Sequence, residues 1–350
     1  MTKHKKIIVM LSAVLAIIIA ILLFLWIRFG QKAQSYECTN FAMGTYVQQT
    51  VYGKNREAAA KEAAKQIGTL ENLISWRIED SDITKLNNAS GIDWVKLDPK
   101  TIALLQKSLD VAKKSDGAFD PTVLPITSLW NFDGEKPQLP SKTDINKFVQ
   151  YVDYNNLRVN TTDSTASLKL HYMAADLGAI GKGAACDEVV AAYKKAGADC
   201  GIVAVGGSVG VFGTKSDRSP WHIAVRDPAT TDEKSESMGT IDLTSGFIST
   251  SGPYEKNFTQ NDVLYHHLLN PKTGYPENNG LISVTVVCDN GALSDALSTA
   301  CFVLGKDKGM ALLNEYGACG VFIDNKSKVY VTENLKNEFK IATTRYTYSS

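Results

Sequence analysis

The sequence predicts an α+β fold, a mixed α/β domain, from three observations. Amphipathic helical patterns and alternating strand patterns both occur along the 350 residues. They do not follow the strict β-α-β repeat that a doubly wound parallel sheet requires. No glycine-rich stretch marks a boundary between two halves of the chain.

The N-terminal segment is the first element, an uninterrupted apolar run over residues 7–27 that follows three lysines. A run of about 21 apolar residues is long enough to span a bilayer, and the lysine bias places the rest of the chain outside the cytoplasm. Cleavage near Ser35 and lipidation of Cys38 are the alternatives to an uncleaved anchor. We expect a single-pass protein of the cell membrane with an extracytoplasmic globular domain, divided into a cytoplasmic N-terminus (1–6), a transmembrane anchor (7–28), a linker (29–40) and the globular domain (41–350).

The later elements follow from periodicity. Apolar residues at helical spacing predict helices near 60–74 and 102–112, the second closed by Gly117. A turn and helix are predicted for "AADLGAIGKGAACDEVVAAYKKAG", and a hairpin for "GVFIDNKSKVYVT". Strands are predicted for "FAMGTYVQQTVYG", "SLKLHYM", "GIVAVGG", "WHIAVRD" and "LISVTVV".

The composition excludes some classes of function. Lys plus Arg and Asp plus Glu are equal at 37 each, and no basic patch stands out, so general nucleic-acid binding is not expected. The six cysteines include no CxxC pair, so the spacing typical of a structural zinc site is absent.

One buried helix carries two polar residues where a core helix should be apolar. In "DNGALSDALSTACFVLG", Asp295 and Thr299 are four residues apart, so both side chains point the same way. Asp295 is interpreted either as an N-terminal cap of this helix or, with Thr299, as a pair of hard oxygen ligands for a cation. The segment alone leaves both alternatives open.

Glycine-rich and hydroxyl-rich segments add further candidates. In "DLGAIGKGAACD", Gly178, Gly181 and Gly183 would let the backbone approach an anion near Lys182, although an ordinary glycine turn explains them too. The spacing is neither a Walker A loop nor GxGxxG. The hydroxyls of "GFISTSGPYEKNF" are typical of a solvated turn.

Two neighbouring histidines precede a Pro-Lys-Thr-Gly turn in "YHHLLNPKTGYP". In an extended segment His266 and His267 face opposite ways, so only one can serve a site. A neutral imidazole beside a turn is a workable general base, and its loss by protonation would slow a reaction below roughly pH 6.

The order of these motifs resembles the FAD:protein FMN transferase family, often called ApbE. The resemblance covers nearly everything after the linker. It runs through "AMGT", "SWRIEDSDITKLN", "GAFDPTVLPITSLWNF", "DLGAIGKGAACD", "GGSVGVFG", "STSGPYEKNF", "HLLNPKTG" and "SDALSTACFVLG".

The resemblance implies magnesium-dependent transfer of the FMN half of FAD to a Thr or Ser of an acceptor protein, with release of AMP, in a cleft between two subdomains. It implies that Asp295, Thr299 and the carbonyl of Ala179 hold Mg²⁺, and that His267 assists deprotonation of the acceptor hydroxyl. The expected FAD contacts are Met43, Ala118, Phe119, Asp120, Asp176, Lys182 and Leu269.

Two other functions are compatible with the same motifs. A magnesium-dependent pyrophosphatase would split FAD into FMN and AMP with water in place of the acceptor hydroxyl. A membrane-anchored flavin-binding protein would carry out no chemistry, and the Asp295–Thr299 pair argues against it because flavin binding alone needs no metal.

Overall fold

The computed structural model describes residues 34–215, 217–230 and 236–349, together with residues 5, 15 and 17–21. Most of the predicted anchor at 7–28 therefore lies outside the described residues. Among those described, no helix is long and apolar enough to cross a membrane. Residues Tyr36–Ser350 form one compact unit and Met1–Ser35 another. In the described part of Tyr36–Ser350 there is thus one compact unit, which is not divided into the two subdomains that we expected.

The secondary structure alternates irregularly between helix and strand. The helices are α1 (Arg56–Ile74), α2 (Asp82–Asn88), α3 (Pro99–Lys114), α4 (Leu124–Trp130), α5 (Lys142–Phe148), α6 (Gly178–Ala196), α7 (Gly291–Leu304) and α8 (Lys306–Glu315). The strands are β1 (Ser35–Ala42), β2 (Thr45–Tyr52), β3 (Val95–Lys96), β4 (Leu157–Asn160), β5 (Thr165–Leu168), β6 (Cys200–Val205), β7 (Ser208–Phe212), β8 (Trp221–Arg226), β9 (Ser237–Leu243), β10 (Gly246–Ser251), β11 (Asn257–Gln260), β12 (Val263–His266), β13 (Leu281–Cys288), β14 (Cys319–Asp324), β15 (Lys328–Val331), β16 (Phe339–Ile341) and β17 (Thr347–Tyr348).

A nine-stranded sheet forms the centre, in the order β1-β2-β6-β7-β10-β13-β14-β15-β17. Every pairing from β2 to β15 is antiparallel, and β15 pairs with β17 in parallel. Smaller sheets have the orders β16-β9-β8, β3-β5-β4 and β11-β12. This mixture confirms the predicted α+β class.

The central sheet is covered on both faces. Helices α1, α3, α6 and α7 pack on one face in the larger hydrophobic cluster, and strands β8, β9 and β16 pack on the other in a second cluster. Strand β10 shows the alternation, since Phe247 belongs to the helical cluster and Ile248 to the opposite one. Ser249 and Ser251 therefore face the helices.

A third cluster is aromatic and lies at the base of the β11–β12 hairpin. Trp130, fully buried at the end of α4, stacks on Phe132 with ring centroids 5.6 Å apart and approaches Tyr265 of β12 at 5.4 Å. Its indole Nε1 donates to the Gly274 carbonyl over 2.9 Å. These contacts fix the loop after β12, which carries His267.

Three sequence expectations need correction. The linker expected over 29–40 ends sooner, because β1 begins at Ser35. The glycine turn of "DLGAIGKGAACD" is helical from Gly178 onward, as the first turns of α6. The hydroxyls expected in a solvated turn lie in β10, where Ser249 is fully buried.

Candidate active site

Helices α6 and α7 cross with their backbones in contact. A Cβ on Gly183 would lie only 2.0 Å from the Gly291 carbonyl oxygen, and a Cβ on Gly291 only 2.2 Å from the Gly183 carbonyl oxygen. Only glycine fits at either position. Gly183 of α6 therefore allows the close approach of another helix, where the sequence suggested close approach of a ligand.

This crossing brings Asp295 of α7 against α6. The Asp295 carboxylate, only 3% exposed, accepts a hydrogen bond from the Gly183 N–H over 2.9 Å. In an α-helix that N–H points toward the carbonyl four residues earlier, which is Ala179. The hydrogen bond therefore holds the Asp295 carboxylate against the first turns of α6, which include Ala179, and Thr299 lies one turn further along α7.

Capping does not explain Asp295. The N-cap of α7 is Asn290, whose side chain accepts from the Leu293 N–H over 3.0 Å. Asp187 of α6 accepts from the N–H groups of Gly291 and Ala292 at 2.7 and 2.9 Å. The free N–H groups at the start of α7 therefore donate hydrogen bonds to Asn290 and Asp187. The interpretation of Asp295 as the N-terminal cap is wrong.

Among the described residues, Lys182 forms an ion pair with this carboxylate. Its Nζ lies 3.8 Å from Asp295 Oδ1, and the Asp295 charge raises the pKa of the half-buried Lys182. The β6–β7 turn lies alongside, since a Cβ on Gly206 would be 3.5 Å from Lys182 Cδ. The "GG" turn thus borders the site predicted from the sequence.

His267 and His266 have different surroundings. The buried His266 ring meets Phe302 of α7 edge to face, and its Nε2 is 3.1 Å from the Glu277 carbonyl oxygen. The half-buried His267 has its backbone N and its Nδ1 3.1 and 3.2 Å from the Lys256 carbonyl oxygen. A carbonyl can only accept, so Nδ1 carries the proton and Nε2 is left as the basic atom.

Burial and nearby cations keep the His267 imidazole neutral. Burial, Lys256 and Lys182 together lower the pKa of His267 to about 3. The expected loss of the base below roughly pH 6 does not fit this environment, because an imidazole with this pKa stays unprotonated well below that pH.

An ion-pair bridge borders His267 and was missed in the sequence. Asp133 Oδ1 lies 2.5 Å from Lys256 Nζ, and its Oδ2 accepts from Arg77 Nη2 at 2.5 Å. The Arg77 guanidinium lies 4.0 Å above the Trp76 ring. Each residue falls in or beside a quoted motif, but only the fold brings the three segments together.

Met43 adopts a left-handed conformation beside α6. Met43 and Gly44 have φ values of 56° and 69° and form the two-residue turn between β1 and β2. The Met43 N–H donates to Glu71 Oε1 over 2.9 Å. A Cβ on Gly181 would lie 3.1 Å from Met43 Cε, so the methionine packs on the glycine face of α6.

Asp176 and the "GAFD" segment lie together. The Asp176 N–H donates to the Pro121 carbonyl over 2.8 Å, and the Asp176 carboxylate accepts from the Gly178 N–H over 2.8 Å. Burial raises the pKa of Asp176. Ala118, in the same segment, is half-buried.

The remaining predicted flavin contacts have buried side chains. Asp120 accepts from the N–H and hydroxyl of Thr122 at 2.8 and 2.6 Å and from the Tyr154 N–H at 2.9 Å. Burial raises the pKa of Asp120 to about 6. Phe119 and Leu269 are 3% and 5% exposed and belong to hydrophobic clusters. These three side chains organise the loops around the site.

Comparison with known proteins identifies the family. The family model described as the ApbE family matches residues 43–323. The chain belongs to the ApbE family.

Relatives in the ApbE family match over most of their length. The FAD:protein FMN transferase of Treponema pallidum (strain Nichols) is 29% identical over 333 residues, which cover 90% of this chain and 91% of the relative. The FAD:protein FMN transferase of Escherichia coli (strain K12) is 27% identical over 297 residues, covering 83% and 84%. The crystal structure of the ApbE protein from Thermotoga maritima has a TM-score of 0.81 and 32% identity, covering 87% of this chain and 99% of its own.

Proposed function

We propose that this protein is a magnesium-dependent FAD:protein FMN transferase. It takes FAD, attaches the FMN half to a Thr or Ser hydroxyl of an acceptor protein and releases AMP. The observation that carries the proposal is the helix crossing, which buries Asp295 beside Lys182 while Lys182 acts electrostatically on His267. The proposal thus rests on a candidate cation ligand, a positive charge beside it, and a neutral base whose pKa that charge helps to lower.

The residues at the crossing fit Mg²⁺. The proposed ligands are the Asp295 carboxylate, the Thr299 hydroxyl and the Ala179 carbonyl, all hard oxygen donors. In residues 34–215, 217–230 and 236–349, no three His, Cys, Asp or Glu side chains are grouped so as to hold a metal. One carboxylate and two neutral oxygens suit an ion that completes its shell with substrate phosphate and water. When bound, Mg²⁺ would neutralise charge on the pyrophosphate oxygens.

The chain's own groups supply the proton transfer. The acceptor oxygen forms a bond to the phosphorus on the riboflavin side, and the bond from that phosphorus to the bridging oxygen breaks, so AMP leaves with the electron pair. His267 Nε2 accepts the hydroxyl proton, because Nδ1–H is held by the Lys256 carbonyl. The low pKa of His267 keeps Nε2 unprotonated before the reaction.

The flavin would lie along the surface between α6 and the "GAFD" segment. Met43, Ala118, Asp176 and Lys182 keep accessible surface there and are proposed to contact FAD through their side chains. The side chains of Phe119, Asp120 and Leu269 are buried in the protein interior, so we propose that these residues contact FAD through their backbone atoms.

We also propose that residues 7–28 anchor the catalytic body to the outer face of the cell membrane. The support is the apolar run preceded by lysines. Protease treatment of intact cells should digest the catalytic body. Protection under conditions that degrade a known external protein would refute this topology.

The reaction is tested by incubating the protein with FAD and Mg²⁺, with and without an acceptor domain. Mass spectrometry follows FMN on the acceptor, and chromatography follows free FMN and AMP. A transferase forms AMP in step with attached FMN and only with the acceptor present. Equal release of FMN and AMP without acceptor would show a pyrophosphatase, and no turnover would show a passive flavin binder.

A further inference from the structure

A chain of buried hydroxyls joins β10 to α7 next to the proposed metal ligands. Ser251 Oγ lies 2.7 Å from Ser298 Oγ and 3.3 Å from Thr299 Oγ1. Ser298 also donates to the backbone carbonyl of Asp295 over 2.8 Å. Ser298 is fully buried and Ser251 is 7% exposed, so water does not readily replace these partners.

The protons in this chain can be assigned, because each hydroxyl has only one. The Asp295 carbonyl can only accept, so the Ser298 proton goes to it. The short contact between Ser298 and Ser251 then requires the Ser251 proton. Ser251 has no proton left for Thr299 and must accept one from it. All three contacts are satisfied as hydrogen bonds when the protons run from Thr299 to Ser251, to Ser298 and to the Asp295 carbonyl.

We propose that Ser251 is a positioning residue for the metal site, because it takes the Thr299 proton and so turns the lone pairs of Thr299 toward the cation. This inference rests on the proposed Mg²⁺ site of Asp295 and Thr299. A cation bound to Thr299 would polarise its O–H bond and strengthen the donation to Ser251. The hydroxyl in β10 would therefore tune metal affinity without touching the metal.

The same strand and helix supply a matched control one turn away. Ser249 Oγ lies 2.8 Å from Ser294 Oγ, and Ser294 donates to the Gly291 carbonyl over 2.8 Å. Ser249 and Ser294 are fully buried. Ser249→Ala therefore removes a strand-to-helix hydrogen bond of the same kind as Ser251→Ala, together with the 3.0 Å hydrogen bond from Ser249 Oγ to Ser208 Oγ, and neither partner is a proposed metal ligand.

The experiment measures Mn²⁺ binding to the full chain by the EPR signal of the free ion, with Mn²⁺ as the probe for the Mg²⁺ site. The variants are Ser251→Ala, Ser249→Ala and Ser298→Ala, with Asp295→Ala as the test of the site itself. Ser298→Ala is informative because Ser298 does not bond to Thr299. Its removal frees the Ser251 proton to turn back toward Thr299. Urea unfolding of each variant reports the structural cost separately.

We expect Ser251→Ala and Ser298→Ala to weaken Mn²⁺ binding by about tenfold or more, and Ser249→Ala by less than about twofold, as typical for residues that orient a metal ligand. Ser251→Thr, which keeps the hydroxyl, should restore affinity. Unchanged affinity in Ser251→Ala, or an equal loss in Ser249→Ala, would overturn the inference while leaving the metal site intact. Wild-type affinity in Asp295→Ala would overturn the proposed site and this inference with it. If Ser251→Ala does not fold, Ser298→Ala and Ser251→Thr decide.

Discussion

Replacing Gly183 with alanine tests the helix crossing that builds the site. The added Cβ would lie 2.0 Å from the Gly291 carbonyl oxygen, whereas ordinary contacts of a Cβ begin at 3.4 Å. The two backbones must therefore separate by about 1.4 Å, since neither atom belongs to a side chain that can rotate away. The hydrogen bond from the Gly183 N–H to Asp295, 2.9 Å long, would be broken by that movement.

The cost follows from these two effects. Overpacking of a close-packed interior costs about 1–3 kcal/mol, and a hydrogen bond to a charged group contributes about 1.5–3 kcal/mol. Gly183→Ala should therefore lower the free energy of unfolding by about 2.5–6 kcal/mol. Asp295 also moves relative to α6, and a displacement of about 1 Å in an active site can cost about 100-fold in rate.

The matched control is Gly68→Ala in α1. A Cβ on Gly68 meets nothing within 4 Å, so alanine there should stabilise the helix by about 0.5–1 kcal/mol. Urea unfolding measures both variants, and FMN transfer to an acceptor measures the site. Gly183→Ala with wild-type stability and wild-type transfer would refute the contact between the two helices.

Three further predictions concern the reacting groups. Asp295→Ala should lower FMN transfer by at least about 100-fold, because the protein loses a ligand of the ion that would neutralise charge on the pyrophosphate. The protein should remain folded. Near-normal transfer at limiting Mg²⁺ would exclude Asp295 as a ligand. His267→Ala should lower transfer by about 10²–10⁴-fold with FAD binding retained, whereas His266→Ala should retain transfer; the reverse pattern in initial rates would assign the base to His266. Because the pKa of His267 is lowered to about 3, its imidazole should stay neutral down to about pH 4 in ¹⁵N NMR of the flavin-free protein. The unfolded chain takes up that proton near pH 6.5, so acid below this value should destabilise the wild type more than His267→Ala, and equal acid sensitivity would contradict the shifted pKa.

Local patterns predicted several elements, although the one strand expected for "FAMGTYVQQTVYG" is two strands, β1 and β2, joined by the Met43–Gly44 turn. The apolar spacing near 60–74 predicted α1, and the alternation in "LISVTVV" predicted β13, because burial of one face or of both faces leaves a periodic trace in the sequence. The spacing of Asp295 and Thr299 likewise predicted that both lie on one face of α7, because residues four apart on a helix point the same way.

Long-range contacts were not predictable in the same way. A glycine in a sequence shows that the backbone there carries no side chain. It does not show whether a ligand or another part of the chain packs against that backbone. Gly183 meets a second glycine that follows it by more than a hundred residues. Asp133 likewise stands in a turn, and its pairing with Arg77 and Lys256 depends on three segments that only the tertiary fold brings together.

The hydroxyls of β10 show a related ambiguity. Ser and Thr suit both a solvated turn and a strand buried against an equally polar helix face. The decision between them depends on Ser294 and Ser298, whose spacing of four on α7 matches the spacing of two between Ser249 and Ser251. That match is visible only once strand and helix are known to pack together.

The left-handed conformation of Met43 has a consequence for attempts to stabilise this protein by substitution. At φ 56° a methionine costs roughly 1–2 kcal/mol that glycine would avoid, so a redesign for stability alone would favour replacing it. A redesign that relaxes this turn would gain thermal tolerance and remove the thioether that packs on the glycine face of α6. At Met43, a substitution chosen for stability alone would therefore remove a side chain that we propose contacts FAD.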